Sequence, residues 1–435
     1  MDALKSSYLD NLLYGQGQIP ASRLSWLNEL RAEALERANA LTVPTTGDED
    51  WRFTDLSPLY KTALRPSPDA VEIAASALEP WLISEAGSRL VFVDGAFAPN
   101  LSVLQPEDGV AVLPLASALT QHGERVRAHL AQVAPFGADP FCAVNTAWLR
   151  DGAAVLTDRN RDIARPIHLL FLSASPGAAV YPRALIVTAR GSRCTVVEDF
   201  LSSHEAAGFT NGVTEVVVGE NASVRHVRLQ RESANAFHIA ACGVRVARDG
   251  RYSSVSVSVG GRISRYNLNV LQGAEGTSFE IDGLALISGR QLADTHTFLD
   301  HAHPQGRSRQ LHKCIADGAA HAVFNGKILV RPGAQRTDSA QQSRNLLLSD
   351  RAHVDTKPQL EIFADDVKCA HGATVGQLDT EQIFYLRSRG MDEPSARNLL
   401  TLAFAAEIVE RIALPSVVRR LEHHLARRAH NGGKQ

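Results

Sequence analysis

The sequence predicts a mainly β protein, with a β-solenoid core between an N-terminal mixed helical domain and a C-terminal helical domain. Residues 151–375 form short runs rich in β-branched residues without a convincing helical pattern, and glycine or aspartate punctuates them. The punctuation recurs at about 15 and about 30 residues, which predicts coils of ~30 residues with a turn about halfway round. A β-sandwich would show shorter spacing, of roughly 8–12 residues.

Residues 1–150 show helical patterns and one strand. Leucine and alanine recur at helical spacing over residues 21–41, with Glu and Arg between them, and Pro44 closes the segment. Residues 89–95 predict a strand that ends in an Asp-Gly turn. Helical periodicity returns over residues 116–133. This pattern indicates a helical domain with a small sheet element.

Residues 376–435 predict a compact helical unit. Asp379 or Thr380 can cap a first helix that ends before Gly390. A second helix begins at Asp392 and ends at Pro415. The rest of the chain is predicted to be a basic amphipathic segment over residues 417–428 and a disordered tail over residues 430–435.

The ends of the predicted solenoid need a cover, because a solenoid leaves backbone groups unpaired at both ends. The two flanking helical regions are well placed to provide one. The C-terminal unit is too small to fold safely on its own. We therefore expect it to dock on the end of the solenoid or on a partner.

Composition excludes several functional classes. The 435 residues include 45 Lys and Arg against 47 Asp and Glu, a net charge of −2, so we expect no binding to nucleic acid or to membranes. The N-terminus does not resemble a secretion signal, and apolar stretches fall short of the ~18–20 residues of a membrane helix. The odd number of cysteines, five without a CxxC pair, favours free thiols in a reducing compartment. These features predict a cytoplasmic protein.

Five histidines and a cysteine form the first candidate site, since imidazole and thiolate are common metal ligands. They do not have the spacing of a zinc finger. His301 and His303 are two residues apart and could share a strand face. Polar ladders and exposed histidines are commoner than metal sites, so we favour a structural role and keep the metal site as an alternative. The residues are His296, His301, His303, His312, His321 and Cys314.

Cys369 and His371 form the second candidate site, at the predicted junction between solenoid and C-terminal helices. Residues two apart in an extended segment project from the same face, so a thiolate and an imidazole could form half of a soft-metal site. Lys368 could help to stabilise the thiolate. The competing interpretation is a buried thiol beside a surface histidine.

The sequence lacks the common catalytic motifs. It has no Gly-x-x-x-x-Gly-Lys-Ser/Thr phosphate loop, no Gly-x-Ser-x-Gly and no His-Glu-x-x-His. The acidic pairs Glu198–Asp199 and Asp365–Asp366 are adjacent, so in a strand they would point to opposite faces. The alternative from another functional class is a polysaccharide-acting enzyme with acidic and basic residues along a groove. The unpaired carboxylates and the helical C-terminus disfavour it.

Several segments resemble the SufB/SufD family, the scaffold subunits of the Suf iron–sulfur cluster assembly system. Residues 363–379 and 383–390 are similar to its C-terminal signature. Within them, Cys-Ala-His-Gly-Ala-Thr followed by Gly-Gln-Leu-Asp favours the SufD type over the SufB paralogue. The likeness extends over most of the chain. Further matches, in chain order, lie at residues 49–56, 145–148, 166–169, 308–310 and 323–328.

The resemblance implies a right-handed parallel β-helix with a non-catalytic scaffold role. It implies a heterodimer with a SufB-like paralogue, in which the C-terminal helices of each subunit dock one copy of an ABC-type ATPase, SufC. The isolated chain could also form a homodimer. The docking residues that we expect on these helices are Ile383, Phe384, Leu386, Leu399, Phe404 and Ile408.

The resemblance also implies an iron–sulfur cluster as a transient cargo at the SufB interface, with no cofactor bound stably by this chain alone. The interface histidine of the family corresponds to His371, which would help to hold the nascent cluster or its iron. Cys369 is the secondary candidate.

Overall fold

The computed structural model describes residues 12–13, 15–66 and 71–431. It confirms the predicted fold class: a parallel β-solenoid of about eight coils carries helices at its N-terminal and C-terminal ends. The N-terminal region contains, in chain order, α1 (Ser25–Ala40), α2 (Ser57–Tyr60), β1 (Arg65–Pro66), β2 (Arg89–Val93), β3 (Ala96–Phe97), β4 (Val110–Pro114), α3 (Leu115–Gln121), α4 (Gly123–Arg127) and α5 (Pro140–Ala147).

The solenoid follows without an intervening helix, as predicted. Its strands are β5 (Ala153–Thr157), β6 (Ile167–Ser173), β7 (Ala178–Val180), β8 (Arg183–Thr188), β9 (Arg193–Ser202), β10 (Phe209–Val218), β11 (Ser223–Arg231), β12 (Phe237–Val246), β13 (Arg251–Ser258), β14 (Ile263–Gln272), β15 (Ser278–Ile287), β16 (Leu292–His301), β17 (Arg307–Ala316), β18 (His321–Val330), β19 (Asp338–Leu347), β20 (His353–Ile362) and β21 (Lys368–Gln377).

The strands alternate between two sheets, so each coil contributes one strand to each. Sheet A runs β20-β18-β16-β14-β12-β10-β8-β5-β4, and sheet B runs β21-β19-β17-β15-β13-β11-β9-β6-β2-β3. Phe209 pairs with Phe237 in sheet A, and Asp338 pairs with Lys368 in sheet B, offsets of 28 and 30 residues. The predicted coil of ~30 residues with a turn halfway is therefore confirmed.

The N-terminal end of the solenoid is covered by strands from the first region. In sheet A, β4 pairs antiparallel with β5, and in sheet B, β2 lies parallel to β6. The predicted Asp-Gly turn joins β2 to β3, and both Asp94 (φ 48°) and Gly95 (φ 83°) adopt the left-handed conformation that a tight hairpin requires. Residues 1–150 thus contribute strands to both sheets.

Two motifs of the N-terminal region anchor it to the outside of sheet A. The Arg265 guanidinium lies 3.8 Å from the ring centroid of Trp51 and 2.5 Å from the Asp294 carboxylate, which also accepts a hydrogen bond from Thr54. On α5, the Asn145 amide donates to the carbonyls of Pro182 and Asn211, at 3.0 and 2.8 Å. The segments around residues 51 and 145 therefore fix the first region onto the coils.

The C-terminal unit consists of α6 (Thr380–Ser388), α7 (Glu393–Val409) and α8 (Pro415–Asn431). Asp379 caps α6 and Asp392 caps α7, through hydrogen bonds from backbone N–H groups at 2.8 and 2.9 Å. Gly390 follows α6 with a φ of 93°, as expected for a residue that ends a helix. The tail predicted from residue 430 is helical to Asn431, and residues 432–435 lie outside the described residues.

The position of these helices differs from our expectation. They pack against the outer face of sheet B instead of covering the C-terminal end of the solenoid, since Ile408, Ile412 and Leu421 share one apolar cluster with Val227 and Leu284. The reason is that the outer face of sheet B is itself apolar there and gains more from burial than a polar strand edge does. Among the described residues, no helix covers the C-terminal end.

Two local predictions also differ from the structure. The pattern over residues 116–133 forms two short helices, α3 and α4, because the chain leaves helical conformation at His122. Helix α5 was not expected from the sequence, although Asp139 caps it by accepting hydrogen bonds from the backbone N–H groups of Phe141 and Cys142. Its residues are buried all round, so an amphipathic pattern was absent.

Candidate functional site at the open end of the solenoid

The last strand, β21, has one free edge. It pairs with β19 in the register Ser339↔Cys369 and Gln341↔His371, and no further strand follows it in the described part of the chain. The Lys368 N–H donates to the carbonyl of Thr337 at 2.9 Å. Because alternate residues of a parallel strand bond to the same neighbour, the N–H groups of the odd-numbered residues point away from β19. They are free to pair with another strand.

Cys369 and His371 lie on the same side of β21, towards the interior of the solenoid. Their register partners Ser339 and Gln341 are both buried in that interior. Cys369 is half-buried and packs against the apolar core, whereas His371 is exposed. The thiol and the imidazole therefore stand side by side at the rim of the open end.

Burial, helped by the charge of Asp338, raises the pKa of the Cys369 thiol, although a hydrogen bond to the backbone of Ser339 opposes this. Lys368 is the adjacent residue and projects to the other face of the strand. The expected stabilisation of a thiolate by Lys368 is therefore not found. In this chain alone, Cys369 is a protonated thiol at neutral pH.

A ladder of uncharged polar groups continues beneath these two residues. Below Cys369, the hydroxyl of Ser339 lies 2.6 Å from that of Ser308, which lies 2.9 Å from Nε2 of His301. Below His371, the amide of Gln341 donates to Oε1 of Gln310 at 2.7 Å. The Oε1 atom of Gln341 is buried, with no hydrogen-bond partner among the described residues. An acceptor is thus available one coil below His371.

The other histidines do not converge on one site. His301 and His312 are buried, and burial lowers their pKa values to about 4 and about 3, so both are neutral. His303 is exposed in the turn after β16, so it shares no strand face with His301. His296 and His321 lie on the outer face of sheet A, each beside an aspartate.

Cys314 is also buried, which raises its pKa to about 12, and its Sγ lies 3.5 Å from Nδ1 of His312. These six residues therefore do not form a single metal site. For His301, His312 and Cys314, which are buried, the structure supports a structural role.

Apolar side chains surround the open end. Phe363, in the turn between β20 and β21, is 60% exposed, and Ile362 and Val375 on the two strands are 40% and 48% exposed. Exposed apolar groups in one region usually mark a protein interaction surface. This patch borders the free edge of β21.

The expected docking residues on the C-terminal helices fall into two groups. Phe384 is 74% exposed, Leu399 is 44% exposed and Leu386 is partly exposed. Ile383 and Ile408 are buried within the chain, and Phe404 packs on sheet B beneath the ammonium of Lys313, which lies 4.5 Å from its ring centroid. Only the first group offers a surface to a partner.

The middle coils contain a buried charged network that was not expected from the sequence. Nε2 of His226 lies 2.8 Å from the Glu198 carboxylate, and Nδ1 lies 2.9 Å from the hydroxyl of Tyr252. Burial alone would lower the pKa of His226, but contacts with Cys242 and Glu198 raise it to about 10, so it is cationic. The sequence does contain a clue: Glu198 lies two residues before Phe200 in β9, so both side chains project from the same, inward face of the strand.

The acidic pair Glu198–Asp199 points to opposite faces of β9, as predicted. Glu198 faces the interior, and Asp199 lies on the outer side, where it pairs with Arg231. Both carboxylates are buried. Neither lines an open groove, as the polysaccharide-acting alternative would require.

The thiols and helices show two further properties of the chain. All five cysteines are free, and four of them are buried. Among the described helices, none is long and apolar enough to span a lipid bilayer.

Comparison with known proteins identifies the family. A family model described as the SufBD core domain of SUF system FeS cluster assembly matches residues 171–404, and a second, the SufBD protein N-terminal region, matches residues 3–169. The core match contains the whole of β21 and of α6 and most of α7.

Full-length relatives agree with these models. An iron–sulfur cluster assembly SufBD family protein of Synechocystis is 39% identical over 417 residues, covering 93% of this chain and 92% of the relative. The iron–sulfur cluster assembly protein SufD of Escherichia coli is 34% identical over 85% of each chain, and that of Bacillus subtilis is 26% identical over 91% of this chain and 92% of the relative. The chain therefore belongs to the SufB/SufD family of the Suf iron–sulfur cluster assembly system.

Proposed function

We propose that this chain is the SufD-type, non-catalytic scaffold subunit of a complex that assembles and transfers iron–sulfur clusters in a reducing cytoplasm. It pairs with a SufB-like paralogue through the open end of its solenoid. The observation that carries this proposal is the free edge of β21, which presents Cys369 and His371 beside exposed apolar side chains. A second solenoid can extend the sheet at this edge by strand addition.

The chemistry of the rim suits a cargo that has to leave again. A nascent cluster needs soft or borderline ligands, and a sparse ligand set shared between two chains releases it more easily than four cysteines from one chain. We assign one ligand to His371 and the thiolate ligands to the SufB-like chain. Cys369 is the secondary candidate, because its thiol must first lose a proton.

The His371→Ala variant tests the ligand role. Co-expressed with SufB-like and SufC-like chains and purified without oxygen, its complex should carry about tenfold less iron and sulfide than the parent complex, since loss of a ligating contact weakens metal binding at least this much. Visible absorption and iron and sulfide analysis measure the loss. His303→Ala, which removes an exposed histidine elsewhere, is the matched control.

Size-exclusion chromatography shows whether the variant complex still assembles, and so distinguishes loss of a ligand from loss of pairing. If the His371→Ala complex assembles and still accumulates clusters at the parent level, the ligand role is wrong. If it no longer assembles while His303→Ala does, His371 acts in pairing and not as a ligand.

We also propose that the exposed face of α6 and α7 docks the ATPase. Since this chain has no phosphate loop of its own, the ATPase supplies the ATP-driven motion. Phe384 and Leu399 are the anchors, because large exposed apolar side chains dominate binding energies. The double variant Phe384→Ala/Leu399→Ala should weaken retention of a SufC-like chain by about tenfold or more in a pull-down series.

Leu104→Ala is the control for this double variant, since Leu104 is 46% exposed in the N-terminal region. Deleting the helices would be a poorer test, because α7 and α8 cover apolar residues of sheet B. Undiminished binding of the ATPase by the double variant would show that it docks elsewhere.

A further inference from the structure

Three potential metal ligands gather on the outer face of sheet A, in the last two coils. His321 begins β18 and His353 begins β20, and the two are register partners. Asp355 is two residues after His353, so it projects from the same face of β20. These side chains belong to the sheet that does not carry Cys369 and His371.

The ligand atoms are close enough to share one ion. Oδ2 of Asp355 lies 2.7 Å from Nε2 of His321 and 3.2 Å from Nε2 of His353. All three ligand atoms lie within 4.8 Å of one another. A tetrahedral site with metal–ligand bonds of ~2.1 Å has edges of about 3.4 Å, so small side-chain rotations would admit the ion.

The backbone holds the two imidazoles in place. The N–H of His321 donates to the carbonyl of Gln291 at 2.9 Å, and that of His353 donates to Ala320 at 2.9 Å. In the two preceding coils the same column is apolar, with Ile263 and Leu292. The two histidines are therefore stacked only in the last two coils, where Asp355 reaches both.

We propose that His321, His353 and Asp355 form a binding site for a divalent first-row transition ion such as Fe²⁺ or Zn²⁺. Two imidazoles and one carboxylate suit these ions, and hard cations such as Mg²⁺ prefer sites made of oxygen ligands alone. The side chain of His353 is 66% exposed and those of His321 and Asp355 are about one quarter exposed. Water can thus reach the ion and complete its coordination.

This site is independent of the function proposed above, because it shares no residue with the rim of the open end. The test is a titration of the purified full-length chain, without a histidine tag, with Co²⁺ as the spectroscopic probe. The parent should bind one equivalent with d–d absorption in the visible range, and Zn²⁺ should displace it. His353→Ala, His321→Ala and Asp355→Asn should each weaken binding by at least about tenfold.

Two control variants locate the ion. His303→Ala removes an unrelated exposed histidine, and His371→Ala removes the histidine of the open end; both should bind Co²⁺ as the parent does. Parent-like binding by His353→Ala, which deletes a largely exposed side chain and leaves the packing intact, would overturn the proposal. Loss of the Co²⁺ bands in His371→Ala alone would also overturn it, by assigning the ion to the other site.

Discussion

At the scale of single residues, the open end differs from the middle of the solenoid in charge. The middle coils bury an ion pair between His226 and Glu198. In the interior of the coils below Cys369 and His371 the buried polar groups are neutral, because burial keeps His301 and His312 unprotonated. A neutral, polar interior beneath the rim adds no charge of its own to the cargo that we propose for this site.

His312 predicts a specific pH dependence of stability. Its pKa is about 3 when folded, well below the ordinary value of about 6.5, so unfolding favours its protonation. The contribution of neutral His312 to the free energy of unfolding is complete above pH ~6.5 and is lost as the pH falls towards the pKa of the folded state. At pH 5 the loss is about 2 kcal/mol. Between pH 7 and pH 5, the free energy of unfolding of the parent should therefore fall by about 2 kcal/mol more than that of His312→Gln.

Urea unfolding at both pH values measures this difference. His303→Gln is the matched control, because His303 is exposed and its replacement should leave the pH dependence of the parent unchanged. An equal loss of stability in His312→Gln and in the parent would contradict the assignment of a neutral, buried His312.

At the scale of the element, β21 has two different edges. Its even-numbered N–H groups bond to β19, as Lys368 does, and its odd-numbered N–H groups face outward. The strand is almost entirely exposed, although it belongs to a sheet whose other solenoid strands are mostly buried. An edge of this kind favours pairing with another chain unless something covers it.

Ala373→Pro tests whether β21 pairs with the SufB-like chain. Proline at this position removes one outward N–H and leaves the hydrogen bonds to β19, so it should abolish co-purification of the partner with little change in thermal stability. Ala373→Ser keeps the N–H and is the control. Parent-like co-purification of Ala373→Pro would show that the two chains meet through another surface.

At the scale of the whole molecule, the coils form a one-dimensional stack that is closed at one end. β2 and β4 cover the N-terminal end, and α7 and α8 cover the side of sheet B. Within the part of the chain that the structure describes, the last coil has a neighbour on one side only. In such stacks each coil is stabilised by its neighbours, so the terminal coil opens most readily.

Amide hydrogen exchange should reveal this gradient. In the isolated chain, amides of β21 should exchange at least about two orders of magnitude faster than those of β11–β15, because half of them lack a partner and the coil opens locally. Adding the SufB-like chain should slow exchange in β21 and leave β11–β15 unchanged. Equal protection of β21 in the presence and absence of the partner would argue against an interface there.

Much of the fold was predictable because its signals are local. The glycine and aspartate punctuation reports the turns of each coil, and the caps at Asp379 and Asp392 mark the starts of α6 and α7. Helix α5 was not predictable, because it is buried on all sides and shows no amphipathic pattern. The neighbouring positions of Cys369 and His371 followed from the two-residue period of a strand alone.

Contacts between coils could not be read from the sequence, since they join residues about 30 positions apart. The pairing of His321 with His353 and Asp355 depends on the length of each turn, as does the stacking of His371 over Gln341. Burial of Ile408 depends on where the helix docks. The sequence by itself determined the coil period, the terminal helices and the Cys-x-His pair. Only the tertiary structure decided that the helices lie along the side, because apolar burial favours that face, and that the end bearing His371 stays open.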